Sequence, residues 1–185
     1  MPESKRVKLE DDTKESVSLL VERRVPWLVI GLVAGMGLPF ISSRFENLLS
    51  ANISLVFFIP IIVYLSDAVG TQSQTIFVRN LVHKNMRFSN YLIKEFLVGT
   101  LLGLIFGSVL CISAYIWLKS AQIAVTVGLA MFLNISLAPL LAILMSKFLQ
   151  KEKTDPALGS GPFSTVLQDL ISLTIYFLVA WVIIL

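Results

Sequence analysis

FLVGTLLGLIFGSVLCISAYIWL, residues 96–118, carries no charged side chain over 23 positions. A hydrocarbon core about 30 Å thick is crossed by roughly 20 apolar helical residues, so the stretch is long enough to span a membrane. A barrel strand would alternate apolar and polar positions over about ten residues. This run stays apolar on both alternating faces for far longer, and a backbone in oil must satisfy its own hydrogen bonds. The stretch is therefore a transmembrane helix, and the fold is all-α.

Working outward from it, four more long runs appear. Val25 to Ser43 is the first span, and Asn47 to Ser66 the second, continuing past Asp67 to Val78 before Arg79 stops it. Ser120 to Ser146 follows the quoted helix as the fourth. The fifth runs from Pro156 to Leu185, interrupted only by Asp169, with its membrane part starting near Pro162 in a first turn. The whole chain agrees: of 185 residues 56% are hydrophobic and 15% charged, and the mean hydropathy is +0.82. That leaves too little polar surface for a soluble globule, and one Cys and one His exclude a disulfide framework or a Cys/His metal cage.

About 24 polar residues precede the first span without a small-residue cleavage pattern, which argues against a signal peptide. They read as a solvated tail with a helical end leading into Arg23 and Arg24. Orientation follows from the Lys and Arg near span ends. The tail holds Lys5, Arg6, Lys8, Lys14, Arg23 and Arg24; the second connection Arg79, Lys84, Arg87 and Lys94; the fourth Lys147, Lys151 and Lys153. The opposite side has only Arg44 and Lys119. The expectation is a multi-pass cell-membrane protein with a cytoplasmic N-terminus and an external C-terminus, its basic connections touching anionic lipid.

Gly99, Gly103 and Gly107 recur every four residues and form a packing face for another helix, as do Gly31 and Gly35. Pro39, Pro60 and Pro139 bend or end their helices. Cys111 reads as a small apolar residue, and His83, among basic neighbours, as a headgroup contact.

Two carboxylates, Asp67 and Asp169, lie well inside apolar spans. A charge there costs about 2.5–3.5 kcal/mol on insertion scales, so such residues face a wet cavity or a partner. No Lys or Arg sits at matching depth. Thr165, Asp169, Ser172 and Tyr176, at offsets of four, three and four, would form a polar stripe along a water-lined path. Near Asp67, Gly70 allows close approach of a ligand or a second backbone, and Thr71, Gln72 and Gln74 offer neutral oxygens. This all-oxygen donor set suits hard divalent cations. Mg²⁺, typically held by one or two carboxylates with several waters retained, is the natural cargo. Ligand chemistry alone leaves Ca²⁺, Mn²⁺, Co²⁺ and protons open.

Several residues also carry a resemblance. Asp155-Pro156-Ala157, Ser160-Gly161-Pro162-Phe163, Thr165, Asp169 and Ile175-Tyr176-Phe177 resemble, without gaps, the last transmembrane helix of the MgtE family of magnesium channels. Phe58-Ile59-Pro60, Gly70, Gln72-Ser73, Thr75 and Arg79 resemble its second helix. Arg24 with Pro26-Trp27-Leu28 resembles the approach to its first, and Glu95 with Gly99 and Gly103 its third. The resemblance implies a homodimer of five-helix subunits with an ion path lined by the second and fifth helices. Asp169 matches the selectivity carboxylate, Gly70 and Gln72 the second helix's polar motif, and Asp155 the acidic residue before the last helix. The family's Gly-Asn-x-Gly-Asn-Gln pattern stands here as Asp67-Ala68-Val69-Gly70-Thr71-Gln72, with a carboxylate in place of small neutral groups. The family's long cytoplasmic helical and CBS modules do not fit in about 24 residues. The resemblance thus implies the transmembrane domain in stand-alone form, which leaves open a separate regulatory subunit or an unregulated transporter.

The combined expectation is a cytoplasmic polar tail over 1–24 and a five-helix divalent cation-transport domain over 25–185. Mg²⁺ is its substrate, and Asp169, Asp67, Thr165, Gly70, Gln72 and Asp155 are the candidate metal-site residues. No resident cofactor and no nucleic-acid partner are expected. A proton- or sodium-coupled transporter is the alternative. An intramembrane aspartyl enzyme is disfavoured because Asp67 follows Leu65-Ser66 and Asp169 follows Leu167-Gln168, which lack the Gly-x-Gly-Asp context. No Walker-type loop is present to make the chain a self-contained ATPase.

Overall fold

A computed structural model describes residues 15–80, 87–151 and 156–184, with side chains over 15–80, 87–148 and 164–184. Most of the N-terminal tail, His83 and Asp155 lie outside the described residues. All regular structure among the described residues is helical, and five segments are long and apolar enough to cross a membrane: Val17–Arg44, Ile53–Asn80, Phe88–Leu118, Ala121–Phe148 and Ser164–Ile184.

Helix α1 (Val17–Gly35) begins before the charge-free run, at Ser16, whose hydroxyl caps Leu19 N–H at 3.4 Å. It stops at Met36 because Pro39 has no N–H to return to Gly35, and the chain resumes as α2 (Gly37–Arg44). The second span starts later than the expected Asn47. Residues Glu46–Ala51 form a separate short helix, α3, ended by Asn52 at φ −139°, ψ 66°. A 3₁₀ turn over Ile53–Phe58 then feeds α4 (Ile59–Asn80), where Pro60 occupies the first turn and costs no hydrogen bond. Helix α5 (Phe88–Leu118) starts eight residues before Phe96, taking Lys94 and Glu95 into the span. Lys119, left-handed at φ 54°, closes α5 by donating to Tyr115 O at 2.9 Å. Ser120 caps the next helix, α6 (Ala121–Lys151), and α7 (Pro156–Ile184) completes the chain.

Helix α6 is the hub, packed by α5, α4 and α7; α1 lies along the outside of α7. The glycine column of α5 meets α6 as expected. A Cβ on Gly99, Gly103 or Gly107 would come within 2.9, 2.7 and 2.7 Å of the backbone oxygens of Ser136, Phe132 and Gly128. In α1, Gly31 is buried but Gly35 has nothing within 4 Å, so the expected pair does not act as one packing face within the subunit. Cys111 fills a small gap against Gly128. Toward the C-terminal end of α7, Phe45 stacks on Phe177 at 4.9 Å, and the hydroxyl of Tyr176 donates to Leu55 O at 2.6 Å.

Candidate functional site

Helix α4 presents two different faces, set by its 3.6-residue period. Ile62, Ser66, Val69, Gly70, Ser73 and Phe77 are buried against the rest of the subunit. About a quarter-turn or more round the axis, Asp67 is half-buried, and Thr71 and Thr75 continue its column fully exposed. The hydroxyl of Thr75 returns to Thr71 O at 2.8 Å. From α7, Asp169 and, one turn away, Thr165 are also half-buried. Asp67 and Asp169 lie near enough to interact electrostatically. The two carboxylates that stand alone in the sequence thus come within electrostatic reach of each other across the packed α4–α7 pair.

Other candidates fall elsewhere. Gln72 is exposed about 140° round α4 from Asp67 and does not join the carboxylate pair within one subunit. Gly70 is approached by a side chain of the same subunit: a Cβ there would lie 2.5–2.9 Å from the amide atoms of Gln168. Gln74 accepts from Ser164 at 3.5 Å. The hydroxyl stripe drawn through Asp169 divides. Ser172 and Tyr176 are 2% and 0% exposed and tie α7 to the subunit interior, so they do not extend a water-lined path from Asp169. The fully buried polar stripe is Ser164, Gln168, Ser172 and Tyr176, every fourth residue.

Three polar residues that carry this interior were not singled out from the sequence as part of a site. Gln168 donates its amide to Ser66 O at 2.5 Å, and Ser172 donates to Ser66 Oγ at 3.1 Å. Asn134, in the middle of α6, donates to Ala130 O and Ser172 O at 2.9 and 3.3 Å. Glu95 is buried in α5 and accepts from Ser73 Oγ at 2.8 Å, making it a third carboxyl group inside a span. The strict four-residue spacing around Gln168 was a usable signal. Glu95 was hidden because it abuts the charge-free run instead of interrupting it.

Among the described residues, no three His, Cys, Asp or Glu side chains gather as a metal cage. Asp67 and Asp169 are half-open carboxyl groups, each with a threonine one turn away on its own helix. The fold and these residues define a protein of the multi-helix membrane class, with ionisable side chains inside its spans that mark a functional site by default.

Comparison with known proteins narrows that class. The family model MgtE, divalent cation transporter, matches residues 59–179, and the chain belongs to this family. It is 33% identical over 173 residues to the magnesium transporter MgtE of Enterococcus faecalis, covering 92% of this chain and 38% of that protein. It is 32% identical over 172 residues to the magnesium transporter MgtE of Bacillus subtilis, covering 91% and 38% respectively. A third relative, the magnesium transporter MgtE of Thermus thermophilus, is 32% identical over 160 residues, 85% of this chain and 35% of that one. The chain therefore spans little more than a third of the length of the curated relatives it matches.

Proposed function

We propose that this chain moves divalent cations, Mg²⁺ foremost, across the membrane through a homodimeric path lined by α4 and α7, with Asp169 as the selectivity carboxylate. The observation that carries the reading is the open polar face: Asp67, Thr71 and Thr75 on α4 beside Thr165 and Asp169 on α7. Lipid cannot solvate that face, whereas water between two copies can. Family membership and the relatives' naming as magnesium transporters favour the same cargo. Two carboxylates, one from each copy, hold a Mg²⁺ ion that keeps most of its water, as this reluctantly dehydrating ion prefers.

The domain occupies 25–185 with a cytoplasmic tail over 1–24, and the cytoplasmic side is the one bearing thirteen of the fifteen Lys and Arg. An inward-negative potential then drives entry, by about 4.6 kcal/mol per 100 mV for a divalent ion. Asp155, which precedes α7 in the sequence, is the remaining candidate on that side. Gly70 acts from within the subunit, where Gln168 is seated against it, and Gln72, exposed on α4, acts through the second copy.

Reconstitution tests this directly. Purified protein in liposomes loaded with a Mg²⁺ indicator should admit Mg²⁺ unaided, and crosslinking in the same liposomes should trap a dimer. Protein-dependent Mg²⁺ entry that requires an imposed proton or sodium gradient would replace the passive path with coupled transport. No entry under any gradient would reject the reading.

A further inference from the structure

The two kinds of glycine contact differ in what an added methyl would strike. On α5 it would strike backbone oxygens of α6, and those helices would have to part. At Gly70 the three nearest atoms it would strike all belong to the end of one flexible side chain, the Gln168 amide, at 2.5–2.9 Å. Gly70 is thus crowded first by a side chain and not by a helix backbone. It is the seat of an amide that is 3% exposed and bonded to Ser66 O.

That seat adjoins a carboxylate in the sequence of each helix. Gln168 precedes Asp169 directly, Ser66 precedes Asp67 directly, and Gly70 is one turn along α4 from Ser66. Burying an amide in an apolar bundle is tolerated only while its hydrogen bonds are made. The amide therefore holds α7 at one distance and one rotation relative to α4. The Ser172–Ser66 and Ser164–Gln74 contacts, one turn to either side along α7, are longer, at 3.1 and 3.5 Å, than the amide's 2.5 Å. Because backbone neighbours turn together, fixing Gln168 against Ser66 fixes Asp169 relative to Asp67.

We infer that Gln168, seated on Gly70 and bonded to Ser66, is a positioning residue that sets where Asp169 stands relative to α4 and its Asp67, and thereby the discrimination among divalent cations of different size. The inference deepens the proposed transport role and rests on it. Pocket geometry decides between ions because Mg²⁺ is small and holds its waters, whereas Ca²⁺ accepts more ligands at longer, more variable distances.

The test is a pair of variants read as a ratio. Gly70→Ala displaces the amide from its seat, and Gly70→Ala with Gln168→Ala gives the new methyl the room the amide occupied. In liposomes, Gly70→Ala and Gln168→Ala should each shift the Mg²⁺-to-Ca²⁺ flux ratio by about tenfold, and the double variant should shift it no further, because both changes unseat the same amide. Equal loss of both fluxes, or shifts that add in the double variant, overturns the inference. Should Gly70→Ala fail to fold, Gln168→Ala alone removes the amide without adding an atom and is held to the same ratio. Wild-type protein that moves neither ion would sink the transport reading instead. The seat then stands or falls on spin labels at positions 64 and 178 in a Cys111→Ala background, whose separation should change in Gln168→Ala and whose constancy refutes it.

Discussion

Ser172 on α7 donates its hydroxyl to Ser66 Oγ on α4 across 3.1 Å, one turn beyond the Gln168 seat. Both side chains are buried, at 2% and 1% exposure, so this bond is part of the subunit interior and not of the open face that carries Asp169. Ser172→Ala should accordingly cost stability and spare selectivity. The expected loss is about 0.6 kcal/mol, the typical worth of such a bond between transmembrane helices. A small drop in detergent melting temperature with an unaltered Mg²⁺-to-Ca²⁺ flux ratio is the outcome to look for.

Asp169→Asn reverses that pattern. The substitution keeps size and removes charge on a half-open side chain that touches the proposed path, so the fold should survive while Mg²⁺ flux falls by at least about tenfold. Wild-type selective uptake by a well-folded Asp169→Asn protein would dismiss the site. Asp67→Asn should have the smaller effect, varying with the ion tested, because Asp67 stands where the family pattern has neutral groups. Flux series with Mg²⁺, Mn²⁺ and Co²⁺ compare the two.

The contrast between Ser172 and Asp169 also marks how far the sequence could be read. Five spans were legible because long charge-free runs have no other stable home. The glycine column of α5 was legible because a four-residue repeat of missing side chains has one use in a helix pair. Span ends were less so. Helices continue into charged segments at Val17 and Phe88, where water and headgroups accept the charges, and the second span is cut at Asn52 by backbone angles that hydropathy does not register. The face of α7 was ambiguous for a geometric reason. Offsets of three and four both stay on one side of a helix, so Thr165–Asp169–Ser172–Tyr176 and Ser164–Gln168–Ser172–Tyr176 are equally good stripes on paper. Only the position of α4 and α6 decides which one is buried.

The helix pair α5–α6 should tolerate no methyl at Gly107. Its Cβ would stand 2.7 Å from Gly128 O, and Gly128 itself lies against Cys111, so neither backbone has a flexible group to yield. Gly107→Ala is expected to destabilise by about 1–3 kcal/mol through overpacking. Thermal aggregation followed by size-exclusion chromatography should show it, whereas Gly35→Ala, with open space around it, should be neutral in the same assay.

Glu95 supplies the last prediction, because two substitutions separate its acceptor role from its packing. Its carboxyl group takes the Ser73 hydroxyl at 2.8 Å, joining α5 to the buried face of α4. Glu95→Gln retains a carbonyl oxygen of the same reach and should keep most of the stability. Glu95→Leu fills the volume but leaves the Ser73 hydroxyl without that acceptor, a loss of about 1–3 kcal/mol when a buried group goes unsatisfied. Adding Ser73→Ala to Glu95→Leu should recover much of that loss, since neither member of this pair is then left without the other. A double-mutant cycle on melting temperature would decide: additive effects would mean that the contact does not hold α4 and α5 together.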